Sequence, residues 1–214
     1  MFDHPPSKIL SQSTKYSGNW LSLKTMTLEI NGKKIHEYEY IEPAASKKAN
    51  KDLDGVSMVP LIKSKSSKGK KIVIVANFRP PTNNYVLEFP GGIVENESYE
   101  EDALRELKEE TGYRGSKIIN SENSFPCYYD AWKSKENGRL LIVEIDGDEE
   151  ENRNPTQKLD KDEVIKVFLL DFDNRLVNHI QELSKKYGFG VSDQLYSFAM
   201  GICFCMNFGF GLTS

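Results

Sequence analysis

One stretch, Leu87 to Tyr113 (LEFPGGIVENESYEEDALRELKEETGY), constrains the fold more than any other, because it puts a strand, a glycine turn and a two-faced helix in immediate succession. Ser98 is a good N-cap with Glu101 three residues later, which makes a capping box, and Gly112 supplies a left-handed stop. The spacing therefore predicts a helix over Tyr99 to Thr111. At about 100° per residue, Ala103, Leu104, Leu107 and Thr111 share one arc, and Glu106, Glu109 and Glu110 share the other. Carboxylates at three- and four-residue spacing repel by a few tenths of a kcal/mol per pair, so something cationic is expected to compensate. A hard divalent cation such as Mg²⁺, which takes carboxylate oxygens and bridges them to phosphates, is the natural partner. A solvated glutamate face is the plain alternative. Ahead of the helix, a buried-looking strand from Val86 to Phe89 enters Pro90-Gly91-Gly92, where glycines let backbone approach a ligand or metal closely.

The rest of the chain reads as a soluble globular protein. It has 214 residues, of which 38% are hydrophobic and 28% charged, room for one domain or a domain with an appendage. The net charge of −4 argues against a nucleic acid polymer as partner. Three cysteines, Cys127, Cys203 and Cys205, cannot all pair and lack zinc-finger spacing, and His4, His36 and His179 are scattered, so a reducing, cytoplasmic or nuclear setting is expected. The opening residues carry no basic segment followed by an apolar core, so no secretory signal is expected.

Residues 1–17 read as a polar tail. NWLSLKTMTLEI and KKIHEYEYIE alternate apolar and polar residues around Asn31-Gly32, the strongest short-range hairpin signal. With a two-residue turn, paired positions sum to 63, which puts Tyr38 opposite Lys24 to Thr25 and Trp20 opposite Pro43. Residues 18–55 are read as a β-hairpin appendage with a Lys/Asp-rich linker, and 56–207 as the main domain. Strands are expected at VSMVPLI, KIVIVANF, Lys117 to Ile119, Arg139 to Ile145 and Val164 to Leu170. An acidic loop spans Asp146 to Asp162. Helices are expected over Arg175 to Tyr187 and Ser192 to Asn207, with 208–214 as a tail. The class is mixed α/β (α+β). The apolar run Phe198 to Leu212 is short for a membrane span of about 20 residues and reads as a core helix followed by a tail, with no membrane partner. Arg79, at a strand exit, can clamp a diphosphate or be a surface arginine.

The order Gly91, five residues, Glu97, seven residues, Arg105-Glu106-Leu107, Glu109-Glu110, Gly112-Tyr113 resembles the Nudix box of nucleoside diphosphate-linked hydrolases. Aligned through Gly92 instead, the loop to Glu97 is one residue short. The resemblance runs from Gly18 to about Asn207. GNWLSL, IVIVANFRPP, YVLEFPGGI and SDQLYSFAMG are similar to segments of the ADP-sugar (ADP-ribose) pyrophosphatase branch.

That resemblance implies a Nudix α/β/α sandwich with a mixed sheet and Mg²⁺-dependent cleavage of ADP-ribose to AMP and ribose 5-phosphate, with Mn²⁺ able to substitute. It also implies a homodimer whose N-terminal strands are exchanged. Carried over, Glu106, Glu109, Glu110 and the Gly91 carbonyl would hold metal, while Glu97 and Arg105 would brace the loop against the helix. Arg79 would hold the diphosphate, and Glu163 would orient or deprotonate the attacking water, with Asp160 and Asp162 as substitutes. Trp20 and Tyr38, from different subunits, would sandwich the base. In two places the chain departs from the branch: Pro43 stands where an arginine usually contacts the base, and Ala131-Trp132 follows Asp130, in the substrate-binding loop, where Pro-Gly is typical. The same site also suits oxidised guanine nucleoside diphosphates, and a catalytically silent nucleotide-binding protein is a further alternative.

Overall fold

The computed structural model of the chain describes residues 7–44, 53–65, 69–95 and 98–209. In chain order its elements are β1 (Ser7–Ser17), β2 (Leu21–Ile30), β3 (Lys33–Pro43), β4 (Gly55–Lys63), β5 (Lys71–Arg79), β6 (Asn84–Glu88), β7 (Gly91–Ile93), α1 (Tyr99–Thr111), β8 (Lys117–Ile118), β9 (Cys127–Tyr128), β10 (Asn137–Asp146), α2 (Glu150–Arg153), β11 (Ile165–Asp171), α3 (Leu176–Tyr187), β12 (Gly190–Val191) and α4 (Asp193–Phe208). Two compact units share the chain. One comprises residues 1–55, 93–99 and 125–139, and the other residues 56–92, 100–124 and 140–214.

The first unit contains the antiparallel sheet β1-β2-β3. Asn31 and Gly32 both take positive φ, as a two-residue hairpin turn requires. Ile30 pairs with Lys33 and Leu28 with Ile35, so paired positions sum to 63 beside the turn. Glu37, at φ 56, then inserts one extra residue, a bulge. Beyond it Met26 pairs with Tyr38 and Leu21 with Pro43, while Trp20 accepts the Ala44 amide at 2.8 Å. Tyr38 therefore lies opposite Met26, one step from its expected place, and Trp20 opposite Ala44.

The expected polar tail is also corrected from Ser7 onward, because Ser7–Ser17 forms β1 against β2. Every residue of β1 is exposed, so it carries no burial pattern that a sequence reading could detect. Backbone pairing and the cross-strand hydroxyl contacts Ser13 to Thr25 and Ser17 to Ser22, each 2.9 Å, define it instead. Most of the expected linker, residues 45–52, lies outside the described residues.

In the second unit the strand order is β12-β6-β5-β4-β10-β8, with β11 on β5 and β7 on β4 as side pairings, and in the first unit β9 pairs with the opening residues of β10. β12 runs parallel to β6 while β4, β6 and β11 are antiparallel to β5, so the sheet is mixed. Alternation along β5 splits its side chains between two faces. Ile72, Ile74 and Ala76 join Leu176 and Ile180 of α3 and Leu195 and Ala199 of α4 in one core. The fully buried Val73 and Val75 point the other way. On β10, Val143 lies at the same small gap beside Gly115 as Leu104 and Leu107, so α1 covers that second face. Helices thus flank the sheet on both sides.

The helix boundaries follow local chemistry. Gly112, at φ 78, donates to the Lys108 carbonyl at 2.8 Å and ends α1. Gly188, at φ 70, ends α3, and the Ser192 hydroxyl caps α4 by accepting the Leu195 amide. α4 departs from the core helix expected: only Leu195 and Ala199 are buried, and Tyr196, Met200, Phe204 and Phe208 are exposed on it. Residues 210–214 of the glycine-rich ending lie outside the described residues.

Candidate active site

The glycine turn and α1 meet through two carboxylates. The Gly91 amide donates to Glu110 Oε2 at 2.9 Å, and Glu110 is 4% exposed. A Cβ on Gly91 would run into the Val56 carbonyl, and one on Gly92 would collide with the Glu106 carboxyl group. Gly91 is therefore sterically required for the seat of the turn on β4, whereas at Gly92 a side chain would displace the Glu106 carboxyl group from where it lies. Glu97 lies outside the described residues.

Glu109 pairs with a cation on its own helix. Its carboxylate accepts Arg105 Nη1 at 2.8 Å, while Arg105 Nη2 reaches Glu106 at 3.0 Å and the buried Asp102 at 3.2 Å. Arg105 is thus the cation that relieves like-charge crowding along the helix, and it braces α1 from within. Among the described residues no group of three His, Cys, Asp or Glu side chains stands at metal-holding spacing. Glu106 and Glu110 gather under the glycine turn, and Glu109 contacts Arg105.

A third carboxylate reaches this place from a distant loop. The Lys158 amide donates to the Glu109 carbonyl at 2.8 Å, and Gln157 Nε2 donates to the carbonyls of Glu110 at 2.6 Å and Ile165 at 3.3 Å. The end of the acidic loop is thereby tied to the last turn of α1 and the start of β11. Between those ties a turn forms in which Glu163 N–H donates to the Asp160 carbonyl and Glu163 Oε2 accepts the Asp160 amide. Glu163 is close enough for its charge to act on both Glu106 and Glu110.

Burial and this crowding raise the pKa values of the pair. Desolvation pushes Glu106 up to about 7, against the pull of Arg105 and with Glu109 and Glu163 adding repulsion. Desolvation pushes Glu110 up to about 8, against the Gly91 amide and Arg79 and with Glu106 and Glu163 repelling it. A pair of desolvated carboxylates that loses its charge when alone is what a divalent cation would restore, so Glu106 and Glu110 offer hard oxygen donors that suit such an ion.

Arg79, at the end of β5, forks onto Glu88 of β6: Nε lies 3.2 and 3.1 Å from the two carboxylate oxygens and Nη2 2.6 Å from one. In the other unit Trp20 is 57% and Tyr38 41% exposed, and the Tyr38 hydroxyl donates to the Trp132 carbonyl. Asp130 opens the same loop, accepting the Lys133 and Ser134 amides on its carbonyl and pairing with Lys133 Nζ at 2.6 Å. Tyr38 and the Asp130 loop are brought together. Trp20 and Tyr38 are not, since six residues of β-strand separate their pairing positions, about 20 Å.

Three residues escaped the sequence reading. Glu88 was visible only as an acid closing an apolar strand, Asp102 gave no sign of burial, and Gln157 carried no signal in its loop.

The NUDIX domain model matches residues 51–183. An uncharacterised Nudix hydrolase of Schizosaccharomyces pombe is 31% identical over 90% of this chain and 90% of its own. The ADP-ribose pyrophosphatase of Saccharomyces cerevisiae is 30% identical over 86% of this chain and 77% of its own. A crystal structure of an ADP compounds hydrolase superposes with a TM-score of 0.62 over 99% of both chains at 15% identity, which is a likeness of fold.

Proposed function

This chain belongs to the NUDIX hydrolase family, and on that premise we propose that it cleaves the diphosphate of ADP-ribose and related ADP-sugars to AMP and a sugar phosphate, with Mg²⁺ as cofactor and Mn²⁺ able to substitute. The observation that carries the reading is the buried meeting of Glu106 and Glu110 beneath Gly91-Gly92, with Glu163 brought to them by a loop tied to the same helix. The relative named as an ADP-ribose pyrophosphatase supports the substrate class.

A divalent ion held by Glu106, Glu110 and the Gly91 carbonyl would neutralise diphosphate oxygens and lower the pKa of water beside it. The chain's own residues do the rest. Arg79 binds the diphosphate through charge-assisted hydrogen bonds. Glu163, fixed by the Asp160 amide, positions water and accepts its proton. Arg105, paired with both Glu106 and Glu109, offsets their mutual repulsion, so that α1 tolerates its carboxylates.

Base binding draws on a homodimer with exchanged N-terminal strands, in which Trp20 of one subunit and Tyr38 of the other sandwich the adenine. The wide separation of the two rings along one sheet and the exposure of all of β1 support this arrangement. Incubating the full chain with ADP-ribose, other ADP-sugars and an oxidised guanosine diphosphate, with Mg²⁺ or EDTA, and separating products by chromatography tests the reading. AMP formed from ADP-ribose only with the metal supports it. Turnover in EDTA, or turnover of the guanine nucleotide alone, overturns it.

A further inference from the structure

We propose, on the reading of Glu163 as the group that positions water, that Gln157 is a positioning residue acting through it: the Gln157 side chain closes the base of the loop that carries Glu163 and hangs that base on the last turn of α1. Gln157 Nε2 donates to the Glu110 carbonyl at 2.6 Å and to the Ile165 carbonyl at 3.3 Å. An amide nitrogen of this kind carries two N–H donors, so one goes to the helix and one to the far end of the loop. Residues 157 and 165 are thereby joined through a single side chain, with Glu163 in the segment between them.

The tether also meets a need of the helix. The last four carbonyls of an α-helix have no partner inside it. In α1 the Lys108 carbonyl takes the Gly112 amide, the Glu109 carbonyl the Lys158 amide at 2.8 Å, and the Glu110 carbonyl the Gln157 side chain. Two of the four are thus met by consecutive residues of a distant loop. Gly112 permits the close approach, since a Cβ there would run into the backbone of Pro155 and Thr156. Past Glu163 the chain is fixed from the other side: the Val164 carbonyl accepts the Phe78 amide at 3.2 Å, and Ile165 pairs with Asn77 of β5. Between these anchors Asp160, Lys161 and Asp162 are exposed, and the turn bonds between Asp160 and Glu163 order them. Glu110 is the common point, because its carbonyl holds the loop base while its buried carboxylate accepts the Gly91 amide. Opening the base at Gln157 therefore moves Glu163 relative to that carboxylate. Misplacing a reacting group by about 1 Å can cost about a hundredfold in rate.

The test replaces Gln157 by methionine, close in shape and without a donor, in the full chain. It reads kcat and KM for ADP-ribose with Mg²⁺, calorimetric binding of ADP with Mg²⁺, and amide hydrogen exchange. In Gln157→Met, kcat should fall about ten- to a hundredfold while KM and the Kd for ADP stay within about threefold, the pattern of a contact that matters only in the transition state. The amides of Lys158, Asp160 and Glu163 should exchange at least about tenfold faster, with those of β5 and β6 at the wild-type rate. In a Glu163→Gln background the substitution should change kcat by less than about twofold, since the two residues act as a unit. Gln157→Asn, one methylene too short to span both carbonyls, should show the same pattern more weakly and covers the case in which the methionine variant folds poorly. Equal loss of kcat with and without the Glu163 carboxylate, or unchanged exchange in 158–164, would mean that Gln157 acts on the helix alone. Raised KM and Kd with kcat intact would mean that it serves binding. Each of these results overturns the proposal. Wild-type protein that leaves ADP-ribose intact would sink the proposed activity without touching the tether, which the exchange readout then supports or overturns by itself.

Discussion

Replacing Glu110 by glutamine should make the metal-free protein more stable at alkaline pH even as it disables the enzyme. Glu110 is 4% exposed, and burial with repulsion from Glu106 and Glu163 lifts its pKa from 4.5 to about 8. The folded chain therefore keeps a proton that the unfolded chain releases near 4.5. Stability is lost as pH rises from that value to about 8 and is level above it. At about 1.4 kcal/mol per tenfold change in the protonation constant, the full rise corresponds to about 5 kcal/mol. Water entry and local relaxation in a metal-free pocket recover part of this, leaving about 1 to 3 kcal/mol. Glutamine keeps an acceptor for the Gly91 amide and removes the titration. For a chain of this length, at about 2 to 4 °C per kcal/mol, the metal-free variant should melt several degrees above wild type at pH 8.5, with little difference at pH 5. The assay is thermal unfolding in EDTA at the two pH values, repeated with Mg²⁺, which should raise the wild-type Tm and leave the variant nearly unmoved. A variant that melts below wild type at pH 8.5 in EDTA would refute the reasoning, because the carboxylate would then be adequately solvated by its partners.

Gly92→Ala forces a methyl group into the space of the Glu106 carboxyl group, so kcat/KM should fall at least a hundredfold while circular dichroism stays native; near-normal activity would show that Glu106 can lie elsewhere. Among Glu163→Gln, Asp160→Asn and Asp162→Asn, measured separately, the first should cost most in kcat, and a dominant loss at either aspartate would move the water-positioning role there. Mixed Trp20→Ala and Tyr38→Ala homodimers should regain a low KM for ADP-ribose once subunits exchange, since half of the hybrid sites are intact and base stacking is worth about 1 to 3 kcal/mol. Confirmed exchange without recovery of KM would remove the shared site.

The span of α1, its glycine stop, the Asn31-Gly32 turn and the limits of α3 and α4 were legible in the sequence to within a residue or so. Each is set by groups a few positions apart: a hydrophobic period, a cap, a residue able to take positive φ. The carboxylates on α1 and the glycine turn beneath them were legible for the same reason. Contacts between distant segments were not. The arrival of Glu163 beside Glu106 and Glu110 and the fork between Arg79 and Glu88 depend on which segments the folded sheet and loops bring together. β1 escaped notice because backbone pairing needs no amphipathic pattern, and the Glu37 bulge because one extra residue alters pairing without altering composition. The sequence by itself determined which helix bears the acids and which turn faces them. Tertiary structure alone decided which acids are buried together, because desolvation and repulsion depend on what surrounds a charge, and a residue's surroundings in the fold come mostly from elsewhere in the chain.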